Sequence, residues 1–193
     1  MDVADRLAGL FARFGDQHYG EHVTQSDHAL QTAALARADD QTADLIVAAL
    51  LHDVGHFLGP DEHGLGRIDH AARGADFLAA WFPDQVTGPI RLHVEAKRYL
   101  CAVDPAYARR LSDSSKQTLA HQGGPYSADE CAAFRARPGW EDSVQLRRYD
   151  DNGKIDGLII EPFEAYLPMI RTVQGRAWPL NDAEWRAAVA AHS

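Results

Sequence analysis

Residues 45–51 form an uninterrupted apolar segment, and His52 and Asp53 follow it directly. The segment has the composition of a buried helix, so these two polar side chains come at the end of a core element. Burying a carboxylate beside an imidazole is unfavourable unless a partner compensates its charge. A divalent metal ion is one such partner. The two oxygens of Asp53 allow it to bridge two ions while His52 binds one of them, and His56 lies one helical turn beyond His52.

Helical periodicity dominates the rest of the chain. Residues 2–14 carry one apolar stripe, and residues 24–37 are rich in alanine and leucine. The pattern predicts further helices within residues 43–56, 70–82, 83–100, 105–111, 111–122, 127–137, 139–150 and 161–173. Only residues 158–160 look strand-like, and they are too few to form a sheet. The predicted fold is therefore all-α, a compact helical bundle.

Length and charge narrow the range of functions. A chain of 193 residues suits one domain, residues 1–193, and its net charge of -9 argues against a broad nucleic-acid-binding surface. A small anionic ligand remains compatible with local lysines and arginines. The sequence contains no apolar run long enough for a membrane span and no pattern of a secretory signal. Cys101 and Cys131 show no disulfide framework, so we expect a reduced, cytoplasmic location.

Further histidines and an aspartate interrupt the other predicted helices. A His-Asp pair alone is common, and an isolated histidine is more often a satisfied core or surface residue than a metal ligand. Here the pair at residues 52–53 has companions in apolar or amphipathic segments, namely His28, His70, His93 and Asp150. Imidazole and carboxylate ligands together suit Fe, Mn or Zn. These residues therefore predict a metal site.

The order of these residues resembles the HD-domain superfamily in its six-ligand, two-metal form. More narrowly, it resembles the PhnZ-type branch of the HD-domain mixed-valent diiron oxygenases, which cleave the carbon–phosphorus bond of small 1-hydroxylated phosphonates. The matching stretches are YGEHVTQSDHALQTA, ALLHDVGH, IDHAARGADFL, LHVEAKRYL, LSDSSKQTLAHQGGP and VQLRRYDDNGK. Myo-inositol oxygenase, a related diiron enzyme, shares the arrangement of ligands, but the intervals here are more similar to those of the phosphonate enzymes.

The resemblance implies two iron ions, Fe(II)/Fe(III), with O2 as cosubstrate. One iron would be bound by His28, His52, Asp53 and Asp150. The other would be bound by His70, His93 and the bridging Asp53, which leaves positions for a substrate. Asp151 is adjacent to Asp150, and the interval favours Asp150 as the ligand. Asp53 and Lys97 are the implied catalytic residues.

A doubly charged phosphonate also needs cationic and hydrogen-bonding partners beyond the metal. Lys97 lies one turn after His93, and Arg147 one turn before Asp150, so both are expected to face the same cavity. The resemblance adds Ser115 and Gln122 as possible hydrogen-bond donors. His56 is a further candidate, either toward the substrate or as a residue that orients a ligand.

The far end of the substrate would meet a loop before the first histidine ligand. In this family the loop carries an aromatic gate, and the interval places His18 where the gating tyrosine is expected, with Tyr19 next to it. Glu21 is placed to pair with an ammonium group, and Tyr19 to hold a quaternary ammonium by a cation–π contact. Both 2-amino-1-hydroxyethylphosphonate and its trimethylammonium analogue are therefore candidate substrates, and the departure at His18 favours the second.

Two other functions compete with this interpretation. A phosphohydrolase of the same superfamily would attack a nucleotide or another phosphomonoester with a metal-bound water and consume no oxygen. Four ligands suffice for its simplest form, so the additional histidines speak against it. A non-catalytic module that binds metal or ligand is the second, but it would have no use for open metal positions beside Lys97.

Overall fold

The computed structural model describes residues 2–18, 22–58, 69–175 and 182–192. Within these ranges all regular structure is helical, which confirms the all-α prediction. The α-helices are α1 (Val3–Phe14), α2 (Gln25–Ala38), α3 (Ala43–Leu51), α4 (Asp69–Leu78), α5 (Asp84–Val103), α6 (Pro105–Arg110), α7 (Asp113–His121), α8 (Ala128–Arg135), α9 (Trp140–Asn152), α10 (Leu167–Val173) and α11 (Asp182–Ala191). Two short 3-10 helices join them, Val54–Leu58 and Phe163–Tyr166.

Side-chain caps set the starts of the two helices that lead to the predicted metal site. Thr24 caps α2, where its hydroxyl accepts the Asp27 amide proton at 3.0 Å. Thr42 caps α3 in the same way through the Leu45 amide at 3.3 Å. A cap satisfies an amide that the first turn of a helix leaves without a partner.

The helix predicted through residue 56 ends earlier than expected. α3 stops at Leu51, and the chain turns at His52 and Asp53 into the 3-10 helix Val54–Leu58. Gly55 allows this turn to lie against the start of α4, because a Cβ at Gly55 would stand 2.0 Å from the His70 carbonyl oxygen. Because the 3-10 turn is tighter than an α-helical turn, His56 does not lie on the same α-helical face as His52, contrary to the prediction from its spacing.

The described residues form two hydrophobic cores. The larger core takes side chains from α1 to α4, the start of α5 and the end of α9, including Leu50, Ile90 and Leu146. The smaller core gathers the second half of α5, α6 and α8, including Leu100 and Phe134. α5 and α9 pack along each other and contribute to both cores.

The C-terminal region differs most from the sequence-based prediction. The segment expected as one helix at residues 161–173 is a 3-10 helix followed by α10, with Pro168 in the first turn of α10. Residues 158–160 form no strand. α11 was not predicted, and its Trp185 packs on Phe77 and Trp81, with ring centroids 5.4 and 5.7 Å apart.

Both cysteines are buried and free, which agrees with the absence of a disulfide framework in the sequence. Among the helices of the described residues, none combines the length and hydropathy that crossing a bilayer requires.

Candidate metal centre

The first pair of predicted ligands comes from α2 and from the turn after α3. The Nε2 atoms of His28 and His52 lie 3.2 Å apart. The Nδ1 of His28 donates to the Gly153 carbonyl at 2.9 Å, and that of His52 donates to the Ala49 carbonyl at 2.8 Å. Because a carbonyl only accepts, each ring carries a proton on Nδ1, and the two Nε2 atoms face each other across a narrow gap.

Asp53 stands between this pair and a second pair of histidines. Its Oδ2 lies 3.3 Å from the Nε2 of His52 and 3.7 Å from that of His28. Its Oδ1 lies 3.4 Å from the Nε2 of His70 and 3.7 Å from that of His93. One oxygen of the same carboxylate therefore faces each pair, which is the arrangement of a bridging ligand.

The second pair is contributed by the start of α4 and the middle of α5. The Nε2 atoms of His70 and His93 lie 3.2 Å apart. The Nδ1 of His93 donates to the Ile90 carbonyl at 2.7 Å, which again turns Nε2 toward the cluster. The ring of His56 stacks on the ring of His70, with centroids 4.3 Å apart and planes within 18° of parallel. The His56 ring therefore packs against one face of the His70 ring.

Asp150, near the end of α9, faces the first pair. Its Oδ1 lies 3.3 Å from the Nε2 of His28 and 4.0 Å from that of His52. Its neighbour Asp151 instead accepts hydrogen bonds from Arg147. The structure therefore brings Asp150, rather than Asp151, to the histidines.

The six side chains divide into two sets that share one residue. We call the first metal position the space bounded by His28, His52, Oδ2 of Asp53 and Asp150. We call the second metal position the space bounded by Oδ1 of Asp53, His70 and His93.

The donor atoms fit a pair of metal ions. Two imidazole Nε2 atoms that face each other at 3.2 Å need a shared proton or a metal ion between them, because their lone pairs otherwise repel. Ligand atoms bound at about 2.1 Å stand roughly 3 to 3.4 Å apart around an ion. The imidazole and carboxylate distances in both positions fall in or close to that range. Nitrogen and carboxylate donors without thiolate suit iron, manganese or zinc.

The electrostatics of the cluster point in the same direction. Burial alone would lower the pKa of His52, but the Asp53 and Asp150 carboxylates outweigh it and raise that pKa to about 9. Burial and the His52 charge lower the pKa of His93 to about 4. Burial would also raise the pKa of Asp53, yet His52 holds it well below its usual range. The raised pKa of His52 and the lowered pKa of Asp53 both reflect the attraction between a buried carboxylate and positive charge beside it.

Three glycines allow the elements that carry the predicted ligands to approach each other. A Cβ at Gly153 would stand 2.6 Å from the Thr32 hydroxyl oxygen and 3.3 Å from the His28 carbonyl oxygen. The end of α9 therefore lies directly on α2, where the Gly153 carbonyl holds the His28 ring. Gly55 and Gly74 bring the turn after Asp53 equally close to α4, with a Cβ at Gly74 only 3.0 Å from the Gly55 nitrogen. This close contact positions the start of α4, where His70 lies.

Lys97 lies one turn beyond His93 on α5 and is buried. Its ammonium group donates to the Thr118 hydroxyl at 2.8 Å, and burial, with the nearby Arg147 charge, lowers its pKa to about 7. Thr118 was not among the predicted site residues. It lies on the face of α7 that also carries Ser115 and Gln122, both buried, so the spacing of three polar residues on one helix face was an available signal.

Arg147 is buried, as expected, but its contacts are with protein carboxylates. Its Nη1 lies 2.7 Å from Asp150 Oδ2, and its Nε donates to Asp151 at 3.1 Å. Its Nη2 reaches Ser115 Oγ at 3.5 Å. The sequence indicated Asp151 only as an alternative ligand and did not indicate Tyr107, because nothing in it pairs α6 with the end of α9.

The remaining predicted contacts concern the loop before α2. His18 is exposed. Tyr19 and Glu21 lie outside the described residues, so their predicted roles stay predictions.

Comparisons with known proteins agree with this geometry. The sequence profile of the HD domain matches residues 26–118. The [1-hydroxy-2-(trimethylamino)ethyl]phosphonate dioxygenase (glycine-betaine-forming) of Leisingera caerulea is 38% identical over 177 residues, which cover 88% of this chain and 89% of that protein. The hydroxymethylphosphonate dioxygenase of Gimesia maris (strain ATCC 29201 / DSM 8797 / 534-30) is 42% identical over 171 residues, 84% of this chain and 85% of that protein.

An uncharacterized protein of Acanthamoeba polyphaga mimivirus is 35% identical over 167 residues, 83% of this chain and 76% of that protein. The fold and the histidine–aspartate cluster are those of an HD-domain metalloenzyme. Within that class, the chain belongs to the family of phosphonate-cleaving HD-domain dioxygenases. This membership confirms the family resemblance and the oxygenase class. The names of the two dioxygenases give different phosphonates as substrates, so the family alone does not determine the substrate of this protein.

Proposed function

We propose that this protein is a diiron oxygenase that cleaves the carbon–phosphorus bond of a small 1-hydroxyphosphonate with O2. The observation that carries the proposal is the Asp53 carboxylate, whose two oxygens face two separate pairs of imidazole nitrogens. One O2 per phosphonate balances the reaction. The carbon–phosphorus bond breaks, C1 is oxidised to a carboxylate and phosphate is released.

The first candidate substrate is 1-hydroxy-2-(trimethylammonio)ethylphosphonate, which would give glycine betaine and phosphate. The relative from Leisingera caerulea acts on this compound by its name and aligns with 88% of this chain. The primary amine, 2-amino-1-hydroxyethylphosphonate, would give glycine by the same balance. Hydroxymethylphosphonate is a third candidate, because the relative from Gimesia maris is 42% identical.

The proposed roles of the residues follow from the two positions. His28, His52, Asp53 and Asp150 would hold one iron, and Asp53, His70 and His93 the other. When bound, an Fe(II)/Fe(III) pair supplies a Lewis acid and the electrons that activate O2. Among the described residues, fewer ligands face the second metal position, so it is the one we assign to the substrate.

The chain itself would bind and orient the phosphonate next to that position. The Lys97 ammonium, held by Thr118, would donate a charge-assisted hydrogen bond to a phosphonate oxygen. Ser115, Gln122 and His56 are further proposed contacts on the same side. At the far end, Glu21 would pair with the ammonium and Tyr19 would contact the methyl groups, with His18 beside them.

Hydrolysis is the competing reaction, and it differs in the metal ion, the substrate and the need for O2. A hydrolase would work with Mn, Mg or Zn, and it would release phosphate from a phosphomonoester without O2. The small substrate and the net charge of -9 give no reason to propose a nucleic-acid partner. Two free, buried cysteines are compatible with the proposed cytoplasmic location.

The test is iron loading under argon, followed by each of the three phosphonates with and without O2. We expect phosphate release and O2 uptake in equal amounts, with glycine betaine, glycine or formate as the matching second product. Matched samples loaded with Zn or Mg should be inactive. Phosphate release that is equal with and without O2 would overturn the oxygenase proposal, and a preference for phosphomonoesters would support the hydrolase.

A further inference from the structure

A buried network lies behind Asp150, on the side away from the histidines. Arg147, Asp151 and Tyr107 form it, and none of the three bounds either metal position. Arg147 is 5% exposed and Tyr107 is 4% exposed. A buried guanidinium with two carboxylates is costly to desolvate, so the arrangement calls for a function beyond stability.

The two oxygens of Asp150 have different neighbours. Oδ1 faces His28 at 3.3 Å, whereas Oδ2 receives the Arg147 Nη1 at 2.7 Å. Lys154 also lies near Oδ1, but its Nζ is 3.9 Å away, beyond hydrogen-bond distance. The guanidinium therefore occupies one carboxylate oxygen and leaves the other for an ion in the first metal position.

Asp151 holds the guanidinium in this orientation. Its two oxygens accept from Nε, at 3.1 Å, and from Nη2 of Arg147, the planar two-point geometry that fixes a guanidinium most firmly. Without Asp151, Asp150 would be the one carboxylate among the described residues in contact with Arg147. The guanidinium would then be free to turn and draw both oxygens of Asp150 away from the histidines.

Tyr107 belongs to the smaller hydrophobic core and contacts both Arg147 and Asp151. Its hydroxyl donates to Asp151 Oδ2 and accepts from Arg147 Nε at 3.3 Å. The position of Tyr107 is set by α6, where Pro105 occupies the first turn and Asp104 caps the Ala106 and Tyr107 amides at 3.0 and 2.9 Å. A line of hydrogen bonds thus runs from the core through Tyr107, Asp151 and Arg147 to Asp150.

We infer that Arg147, Asp151 and Tyr107 form a positioning network that presents Asp150 to the first metal position through Oδ1 alone. The inference rests on the proposed metal centre and adds a role to residues outside it. It assigns Arg147 to the support of a ligand, whereas the sequence placed it among the substrate contacts. Asp151, the neighbour of the ligand, becomes the residue that keeps Arg147 in place.

The test measures metal binding to the purified apoprotein with Co(II), whose absorption spectrum reports coordination as each position fills. We expect the first metal position to bind Co(II) more tightly than the second. Asp151→Asn should weaken Co(II) binding at the first position by about 10- to 100-fold, the range for loss of an outer partner of a metal ligand, and should change its spectrum. Tyr107→Phe removes only the hydroxyl and should give a smaller loss in the same direction. Asp142→Asn neutralises an exposed acid in the first turn of α9 and should match the wild type.

Each outcome bears on the inference. Wild-type affinity and spectrum in Asp151→Asn would overturn it, and so would an equal loss in Asp142→Asn. If Asp151→Asn does not fold, Tyr107→Phe becomes the test. Wild-type Co(II) affinity and spectrum in Tyr107→Phe would then overturn the inference. A wild-type protein that binds no pair of ions would instead contradict the proposed metal centre, so the two failures are distinguishable.

Discussion

The two metal positions differ in how completely the protein encloses them. The first has two histidines and two carboxylates, and the side chains of His52 and Asp150 are 0% and 6% exposed. The second has two histidines and one carboxylate, and His70 is 13% exposed. A position that is enclosed by protein suits an ion that stays in place, whereas one with fewer ligands leaves room for a substrate.

The supports of the two positions differ as well. The first is held by α2, α3 and α9, whose contacts include the Gly153 carbonyl and the network behind Asp150. The second depends on His70 at the very start of α4, which is placed by the contact with Gly55. We therefore expect the first position to bind its ion more tightly and the second to bind the substrate, and Asp53 is the residue common to both.

The largest effect is expected from Asp53→Asn, which removes the shared carboxylate charge from both positions. Both ions should be lost, with affinity falling by more than the roughly 100-fold that loss of an outer partner costs. Metal analysis after dialysis measures this. Retention of one full equivalent would show that the positions do not depend on a common bridge.

Asp150→Asn and His70→Asn form a matched pair that separates the positions. We expect each variant to retain one ion. Asp150→Asn should lose the ion of the first metal position, and His70→Asn that of the second. Only His70→Asn should keep the tighter Co(II) site of the wild type. If both variants lost the same ion, the division of the ligands into a first and a second metal position would be wrong.

Lys97→Met should affect substrate and leave metal content unchanged. Losing a charge-assisted hydrogen bond to a phosphonate costs about 1.5 to 3 kcal/mol, which corresponds to roughly a 10- to 100-fold rise in KM. Steady-state phosphate release at varied substrate concentration measures it. Thr118→Val, which removes only the hydroxyl partner, should give a smaller rise, and a loss of iron in Lys97→Met would contradict this role.

The smallest effects are expected at the two close glycine contacts. Gly153→Ala and Gly55→Ala each force a methyl group against a packed neighbour, at an expected cost of about 1 to 3 kcal/mol in the free energy of unfolding. Gly153→Ala should loosen the first position and Gly55→Ala the second.

Gly88→Ala is the control for these two variants, because nothing lies within 4 Å of its added Cβ. It should gain about 0.5 to 1 kcal/mol from the better helix propensity of alanine. Chemical denaturation of the apoproteins measures all three. Equal stability in the three variants would show that the close contacts do not constrain the fold.

Much of the fold and the ligand set was predictable from the sequence. Apolar periodicity located most of the described helices, because burial imposes that pattern directly on the residues. The resemblance carried by the intervals between His28, His70 and Asp150 pointed to side chains that the structure brings together around Asp53. The choice of Asp150 over Asp151 also agrees with the structure, in which only the former faces the histidines.

What the sequence did not reveal depends on tertiary contacts. The early end of α3 follows from the packing of Gly55 on the His70 carbonyl, which no local propensity encodes. The engagement of Arg147 by Asp151 and Tyr107 joins α6 to α9, across 40 residues in the case of the tyrosine contact. α11 was missed because its burial depends on Trp185 meeting aromatic residues of α4 and the turn that follows it.

The most direct test of the account is anomalous diffraction from crystals of the iron-loaded protein, recorded on both sides of the iron absorption edge. We expect two iron peaks about 3.5 to 4 Å apart, one on each side of the Asp53 carboxylate. One peak should contact His28, His52 and Asp150, and the other His70 and His93. A single peak, or a pair that does not share Asp53, would contradict the two-position centre from which the proposed function is argued.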